Sequence, residues 1–328
     1  KLRQLGDQEA DIISIVKPIT KFAVSVDDPY KIDAILTQAV QTALSGRKGP
    51  VWVDVPMNIQ AALIDEQKLI KPPLPPRALP VPAKELKAAV NLLGNAKRPL
   101  IVAGHGVRLA KAQHVFEQLL NTLNIPVVTT FNGFDVLPDD NPFYVGRIGT
   151  VGQRAGNFAL QNADVILFLG TRNNIRQISY NWENYAPRAK KIIVDIDAEE
   201  LKKPTVKADV AINADLKDFI TEFLKYAKPL PAQDWLAWCA ARKQKYTPLG
   251  EFKIKLSDKV HPYLFTQTLT SLLKTETVVA TNATACLTLF QAGVAHKGQR
   301  MFLNSGDASM GYGLPAAIGA CVAGEGQK

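Results

Sequence analysis

The sequence predicts an α/β protein built around a parallel, Rossmann-like sheet, with a partial α/β segment on either side. Three observations lead to this fold class. Apolar runs that suit buried strands alternate with helical patterns between residues 86 and 197. A proline-rich run separates this region from a shorter helix–strand segment, and a new strand–helix pattern begins after residue 257. Alternation of helices with strands that are apolar throughout is typical of a parallel sheet covered on both faces.

The first segment contains one predicted helix and one predicted strand. Apolar residues recur at helical spacing over residues 32–43, and the polar, glycine-containing run 45–50 ends this helix. Residues 51–55 suit a strand that Pro56 ends. Two elements are too few for a domain, so we expect their pairing partners outside this chain. The prolines of residues 71–82 then favour an extended linker.

The middle segment carries the strand–helix alternation. Its predicted elements are a helix through Leu86, Val90 and Leu93, a strand at 99–104, a helix through Leu109, Val115 and Leu119, a strand at 125–130, a helix at 154–161, and strands at 164–170 and 191–197. A doubly wound sheet binds its ligand at the carboxyl ends of the strands. We therefore expect a ligand beside the turns at Gly104, Thr130 and Gly170.

The last segment follows a loosely defined linker at about residues 228–259, which includes an aromatic helical patch at Trp235 and Trp238. Its predicted elements are a helix through Leu264, Leu269 and Leu272, strands at 277–281 and 301–304, and a helix at 314–322. A glycine-rich loop joins the second strand to the last helix. Glycines in such a loop let the backbone approach a ligand without an intervening side chain.

Composition is that of an ordinary globular protein, with 47% hydrophobic and 21% charged residues. No apolar run is long enough for a membrane span, and residues 1–10 lack the apolar core of a signal peptide. The net charge of +9 is scattered, so we expect no nucleic-acid partner. Cys239, Cys286 and Cys321 are far apart and indicate neither disulfides nor a metal site, which favours a reducing cytoplasm.

The glycine-rich loop carries the most specific motif of the chain. Residues 309–320 read Ser-Met-Gly-Tyr-Gly-Leu-Pro-Ala-Ala-Ile-Gly-Ala and resemble the pyrimidine-side loop of thiamine diphosphate (ThDP) enzymes, in particular the acetolactate synthase family. The resemblance implies that the carbonyl of Ala308 and the amide of Met310 hold the aminopyrimidine ring. It also implies that the Met310 side chain supports the bent form of the cofactor. The ThDP-binding residues implied are Asn282, Ala283, Thr284, Ala308, Ser309 and Met310. Without the resemblance, the turn at Asn282 is equally well explained as a helix N-cap.

The middle segment resembles the same family over most of its length. Residues 146–152 correspond to the family's Gly-Met-Leu-Gly-Met-His-Gly, residues 170–176 to Gly-Ala-Arg-Phe-Asp-Asp-Arg, and residues 195–198 to Asp-Ile-Asp-Pro. In the family these turns surround FAD, and the alternative is a central domain of the same fold without flavin. The FAD-binding residues implied are Gly104, His105, Gly106, Thr130, Phe131, Gly146, Gly149, Gly170, Arg172, Asp195 and Asp215.

Arg176 matches the family arginine that holds the carboxylate of the second 2-oxo acid. A guanidinium can bind a carboxylate through two parallel hydrogen bonds. Gln8 is implied as a second residue on the substrate side. Three departures concern the same region: residues 173–175 are Asn-Asn-Ile instead of Phe-Asp-Asp, Met57 replaces a lysine, and Asp7 replaces a phenylalanine. The resemblance therefore indicates the architecture of this chain more directly than it indicates the substrate.

The resemblance also implies a domain organisation. Residues 1–72 would end a pyrimidine-binding domain, residues 80–228 would form the central domain, and residues 257–328 would begin a diphosphate-binding domain. The catalytic glutamate of the family would precede Lys1. The Gly-Asp-Gly…Asn motif, which binds Mg²⁺ and the diphosphate, would follow Lys328. We therefore expect an internal part of a longer enzyme that is inactive by itself.

The implied activity is ThDP-dependent decarboxylation of a 2-oxo acid such as pyruvate, with carboligation to a second carbonyl compound, as in branched-chain amino acid biosynthesis. One alternative is a non-ligating 2-oxo acid decarboxylase or another ThDP carboligase. The other, from a different class, is a nucleotide-binding module without chemistry. The expected partners are the 2-oxo acid, further copies of the chain in a homodimer or homotetramer, and a regulatory small subunit.

Overall fold

The computed structural model describes residues 4, 6, 7, 9–74, 79–250, 259–280, 283–304, 306 and 308–326. The chain divides into two compact units, Lys1–Leu79 and Pro80–Lys328. The division lies within the proline-rich run. The second unit contains both segments for which the sequence predicted separate central and diphosphate-binding domains, and their assignment as domains stays a prediction.

The first unit is a small parallel sheet with short helices. Its elements are α1 (Ile12–Val16), β1 (Phe22–Ser25), α2 (Ile32–Leu44), β2 (Val51–Asp54) and α3 (Met57–Gln60), with 3₁₀ turns at Lys17–Ile19, Pro29–Lys31 and Glu66–Lys68. The predicted helix and strand are confirmed as α2 and β2. The sequence interpretation missed β1, which pairs with β2 from Phe22 opposite Val51 to Ser25 opposite Asp54. Four residues between polar neighbours are too few to show a clear strand pattern.

The second unit is built on a six-stranded parallel sheet. The elements of this part are α4 (Ala83–Gly94), β3 (Pro99–Ala103), α5 (Gly106–Leu109), α6 (Gln113–Leu123), β4 (Val127–Thr129), β5 (Tyr144–Arg147), α7 (Arg154–Asn162), β6 (Val165–Leu169), α8 (Ile175–Ile178), β7 (Lys190–Asp195), α9 (Ala198–Leu201), β8 (Val210–Asn213), α10 (Leu216–Leu224) and α11 (Gln233–Lys245), with 3₁₀ turns at Phe131–Gly133 and Trp182–Asn184. Every residue of β3 and β6 is buried, as expected for central strands covered on both faces.

The strand order of this sheet is β5-β4-β3-β6-β7-β8, with all pairs parallel. The chain builds the sheet outward from β3 in one direction, then returns and builds it outward from β6 in the other. This order is that of dinucleotide-binding folds, in which the ligand lies where the order reverses. The crevice is therefore expected at the carboxyl ends of β3 and β6.

Three predictions for this unit need correction. The single helix predicted through Leu109 and Leu119 is wrong, because Lys111 has a left-handed φ of 53° and separates α5 from α6. The edge strands β5 and β8 were missed, since both are short and glycine or polar residues interrupt them. The region predicted as a linker contains α11, whose Trp235 is buried and donates its indole N–H to the carbonyl of Pro99 at 2.9 Å.

The rest of the second unit packs beside the six-stranded sheet. Its elements are α12 (Pro262–Leu272), β9 (Val278–Ala280), α13 (Ala283–Ala292), β10 (Met301–Leu303) and α14 (Gly313–Ala323), with β9 and β10 paired in parallel. Phe290 of α13 stacks on Phe131 with ring centroids 4.2 Å apart and meets the edge of Phe134. A second, smaller hydrophobic core therefore joins this part to the large sheet.

Among the helices in the described part of the chain, none is both long and apolar enough to cross a membrane.

Candidate functional site

The turns after β3 and β6 meet at the point where the strand order reverses. The amides of Gly104 and Gly106 donate to the carbonyls of Leu169 and Gly170, at 2.9 and 3.0 Å. A Cβ atom on Gly104 would lie 2.2 Å from the Gly170 carbonyl oxygen. The glycines are thus required by the close approach of two backbones, and both amides are already used within the protein.

Other amides at this crevice remain available. The backbone N–H groups of His105, Thr171 and Arg172 make no hydrogen bond within the described part of the chain. The His105 ring lies 2.8 Å from the carbonyl oxygen of Asn132 through Nδ1, and burial lowers the pKa of this imidazole. Because the imidazole is neutral at neutral pH, the partial positive charge of this turn comes from its backbone N–H groups.

The charged residues predicted for FAD have partners inside the protein. Arg172 lies 3.2 Å from Glu200. Asp195 accepts a hydrogen bond from the amide of Asp197, and Asp215 caps α10 by accepting from the amides of Lys217 and Asp218. Contacts within the protein therefore account for Arg172, Asp195 and Asp215 without a bound ligand.

The remaining predicted FAD positions lie at the carboxyl ends of β4 and β5. The amide of Thr130 donates to the carbonyl of Ala103, and Phe131 faces α13. The Asn157 side chain bonds both the amide and the carbonyl of Gly149 at 3.0 Å, while Gly146 lies within β5. All the predicted FAD positions therefore lie at the carboxyl ends of neighbouring strands of the large sheet. Asp215 is among them, since it lies two residues beyond β8.

Arg176 has a fixed backbone and an exposed side chain. Its carbonyl accepts hydrogen bonds from the amide and the hydroxyl of Thr150, at 3.2 and 2.7 Å. The next residue, Gln177, is buried and bonds Thr171, Asn173 and Tyr185. Asn174 caps the short helix α8 that carries Arg176. The departures at Asn173 and Asn174 thus have structural roles that hold this loop.

The guanidinium of Arg176 lies beside Phe131, whose ring stacks on Phe290 of α13. It lies 5.9 Å from the ring centroid of Phe131. Burial raises the pKa of the Cys286 thiol, and the nearby hydrogen bond to Asn304 and the positive charge of Arg176 oppose this rise. The Cys286 sulfur itself contacts the carbonyls of Ala280, which ends β9, and Asn304, which follows β10. Arg176 therefore lies near the predicted ThDP loops.

The described residues of those loops are exposed. Ala308 has a left-handed φ of 54°, and 91% of the Met310 surface is accessible. Asn304 donates to the carbonyl of Ser309 at 2.6 Å, whereas the Ala308 carbonyl and the Met310 amide make no hydrogen bond with the described residues. Thr284 lies in the first turn of α13, and Ala283 begins that helix.

Two predicted site residues, Gln8 and Asn282, lie outside the described residues. The departures Asp7 and Met57 belong to the first unit, where Met57 begins α3 and is exposed. The structure thus brings together Arg176, α13 and the loop around Ser309, all within the second unit.

Comparison with known proteins identifies the family. Residues 86–223 match the family described as thiamine pyrophosphate enzyme, central domain. The chain is 33% identical to the probable acetolactate synthase large subunit of Methanocaldococcus jannaschii, over 96% of this chain and 55% of that protein. It is 30% identical to the acetolactate synthase isozyme 2 large subunit of Escherichia coli, over 96% of this chain and 56% of that protein. The chain is similar to acetolactate synthase-like thiamine diphosphate enzymes over nearly its whole length. It spans about half the length of the curated relatives that it matches.

Sequence reasoning missed two buried charged groups of this chain. Asp135, after β4, contacts Arg108, Arg300 and the amide of Met301. Arg147, the last residue of β5, contacts the C-terminal end of α13. The one signal in the sequence was that Arg147 stands where the family run has methionine.

Proposed function

We propose that the full-length protein uses ThDP to decarboxylate a 2-oxo acid such as pyruvate and joins the remaining unit to a second carbonyl compound. The observation that carries the proposal is the position of the exposed Arg176 guanidinium beside Phe131, whose ring stacks on α13, the helix that begins at the predicted ThDP residues Ala283 and Thr284. Similarity to acetolactate synthase large subunits over 96% of the chain supports the same activity.

The residues present fit the pyrimidine side of ThDP. The Ala308 carbonyl and the Met310 amide are an acceptor and a donor without partners among the described residues. The left-handed backbone of Ala308 costs about 1–2 kcal/mol, and strain of this kind concentrates at ligand sites. The exposed Met310 side chain offers an apolar support for a ring. When bound, ThDP supplies an electron sink for decarboxylation.

The role we assign to Arg176 is to bind and orient the carboxylate of the second 2-oxo acid. Hydrogen bonds from Thr150 and the hydrogen bonds of the buried Gln177 hold the backbone at Arg176. The Arg176 side chain can therefore turn towards a substrate while the loop stays in place. Arg176 forms no ion pair within the described residues, which leaves its charge available. A guanidinium in this state is suited to two-point recognition of a carboxylate.

The experiment is turnover of pyruvate by the full-length protein with ThDP and Mg²⁺, measuring carbon dioxide and ligated product separately. Equal amounts of both support the proposed carboligation. Release of carbon dioxide without ligated product would instead identify a non-ligating decarboxylase. Binding of ThDP without turnover would leave the nucleotide-binding module as the explanation.

We also propose that the central domain binds FAD, with the free amides of His105, Thr171 and Arg172 facing the diphosphate. These donors lie where the strand order reverses, which is where dinucleotides bind in such sheets. Asp215→Ser and Asp215→Ala test the predicted contact of Asp215. Serine retains the helix cap, whereas alanine loses about 1 kcal/mol. Flavin absorbance that persists in both variants would assign Asp215 to the cap alone, and a colourless wild-type protein would exclude FAD.

We propose that the full-length protein is a homodimer or homotetramer and binds a regulatory small subunit. The relatives' designation as large subunits supports this assembly. Leu314, Ile318 and Val322 form an exposed apolar face on α14, which favours association with another surface. Sedimentation of the ThDP-bound protein as a monomer would contradict the oligomer.

A further inference from the structure

Arg147 is a fully buried cation that connects β5 to α13. Its side chain is 0% exposed. One terminal nitrogen donates to the carbonyls of Leu289 and Phe290, at 3.3 and 2.7 Å. The other donates to the carbonyl of Gly293 at 2.7 Å and to the carboxylate of Asp139 at 2.9 Å. A single side chain of the large sheet therefore binds three carbonyl groups at the end of one helix, two within its last turn and one on the residue that follows it.

These carbonyls belong to the C-terminal end of α13, Ala283–Ala292. The last carbonyls of a helix lack partners within it and form the negative end of its dipole, so a cation is stabilising there. Asp139 adds a second attachment, since the oxygen that accepts from Arg147 also accepts from the amide of Ala295 at 2.6 Å. The ion pair thus holds both the helix end and the chain that leaves it.

The opposite end of α13 begins at Ala283, which together with Thr284 is among the residues that the family resemblance implies for ThDP binding. A ten-residue helix is about 15 Å long and behaves as a rod, so fixing one end determines where the other end lies. Phe290, stacked on Phe131, prevents rotation of the fixed end. Arg147 therefore connects the large sheet mechanically to the first turn of α13.

We propose that Arg147, braced by Asp139, is a positioning residue that holds α13 so that its first turn, with Ala283 and Thr284, meets ThDP. The proposal rests on the proposed function, because it assumes that this turn binds the cofactor. It concerns this chain in particular, since the corresponding family run has methionine at the position of Arg147.

The test uses the full-length protein with Arg147→Met, Arg147→Lys and Asp139→Asn. We expect Arg147→Met to raise the Kd for ThDP about tenfold or more, since displacement of a binding group by about 1 Å has effects of this size. The KM for the 2-oxo acid at saturating ThDP should change less than the Kd for ThDP. Arg147→Lys, which retains the charge but bonds fewer carbonyls, should restore part of the affinity, and Asp139→Asn should weaken it in the same direction.

Lys191→Met is the matched control. Lys191 is a half-buried cation that likewise donates to backbone carbonyls, those of Ala186 and Ala189, but it lies near the start of β7. This variant should lose stability without losing affinity for ThDP. If Arg147→Met is destabilised like the control while its Kd for ThDP is unchanged, the role of Arg147 is purely structural and the proposal is wrong.

Two further outcomes separate this proposal from the proposed function. If Arg147→Met does not fold, Asp139→Asn decides, because it retains the guanidinium and its three carbonyl bonds. An unchanged Kd for ThDP in that variant contradicts the proposal. Absence of ThDP binding by the wild-type protein would overturn both the function and the proposal. An effect of Arg176→Ala on the KM for the 2-oxo acid, with normal ThDP affinity in Arg147→Met, would overturn only the proposal.

Discussion

Arg176 shows how one residue can be fixed in position while its charge stays available. Where the family pattern has two acidic residues before this arginine, the chain has Asn174 and Ile175. Asn174 instead caps α8, and Asn173 is buried against Gln177. The loop is therefore held by uncharged hydrogen bonds, which do not compete with a substrate carboxylate for the guanidinium.

We predict that Arg176→Lys raises the KM for the 2-oxo acid about tenfold and that Arg176→Ala raises it further. Lysine retains the charge but not the two-point geometry, and hydrogen bonds to charged groups contribute about 1.5–3 kcal/mol. The measurement is steady-state kinetics of the full-length protein at saturating ThDP. Arg188→Lys, at an exposed arginine of the same unit, is the control. An unchanged KM in both Arg176 variants would exclude Arg176 from substrate binding.

We also predict that Cys239 resists alkylation in the folded protein. Burial raises the pKa of its thiol from 9.0 to about 12, although the charge of Arg242 partly offsets this effect. Only the thiolate reacts, so at about pH 9 iodoacetamide should modify Cys239 much more slowly than in the urea-unfolded protein. Peptide mass spectrometry measures both rates. Equal rates would show that the thiol is not buried.

The same shift gives a pH dependence of stability. The folded protein holds the Cys239 proton more tightly than the unfolded protein does. The resulting contribution to the free energy of unfolding is therefore complete below pH 9.0 and is lost as the pH rises towards 12.

At the scale of elements, two loops at the crevice of the large sheet depend on backbone contact. A Cβ atom on Gly106 would lie 2.6 Å from the Cα of Gly170. Gly170 itself has a left-handed φ of 59°. Side chains at these positions would push apart the turns that follow β3 and β6, and with them the amides proposed to face FAD.

We predict that Gly106→Ala destabilises the protein by about 1–3 kcal/mol, the usual cost of excess volume in a packed site. Gly94→Ala is the matched control, because a Cβ there meets nothing within 4 Å at the end of α4. It should leave stability unchanged or raise it by up to about 1 kcal/mol. Urea unfolding measures both. Equal stability of the two variants would contradict the close packing of these turns.

At the scale of the second unit, buried charges join its two parts. The Asp135 side chain is only 2% exposed and lies 3.0 Å from Arg108 Nε and 3.4 Å from Arg300 Nε. It also accepts from the amide of Met301, the first residue of β10, at 3.0 Å. With the Arg147 contact to α13, this places a buried ionic group at each element that leads towards the predicted ThDP loops.

We predict that Asp135→Asn costs about 3–5 kcal/mol of stability, because it leaves the largely buried Arg108 without its counter-charge. Glu199→Gln is the control, since Glu199 and its partner Lys202 are both largely exposed. It should cost less than about 1 kcal/mol. The measurement is urea unfolding of both variants, with hydrogen exchange to report whether β10 opens first. A loss no larger than that of the control would show that Asp135 does not hold the two parts together.

The sequence alone predicted much of the second unit. Apolar strands such as β3 and β6, with helices between them, are recognisable because burial on both faces requires continuous apolar residues. The strands that it missed, β1, β5 and β8, are short and mixed in composition. Their backbones are held by neighbouring strands rather than by local preference, so local pattern carries little information about them.

The candidate site divides in the same way. By itself, the sequence determined the glycine loop before α14, the turns after the strands and the likeness of Arg176 to a family residue, because these depend on residue types at fixed spacing. Only the tertiary structure decided that Gly104 serves backbone packing, that Asp215 caps a helix and that Arg147 binds the end of α13. Arg147 and Gly293 are far apart in the chain. A buried cation and the carbonyls that compensate it become recognisable as partners only when folding brings them within hydrogen-bonding distance.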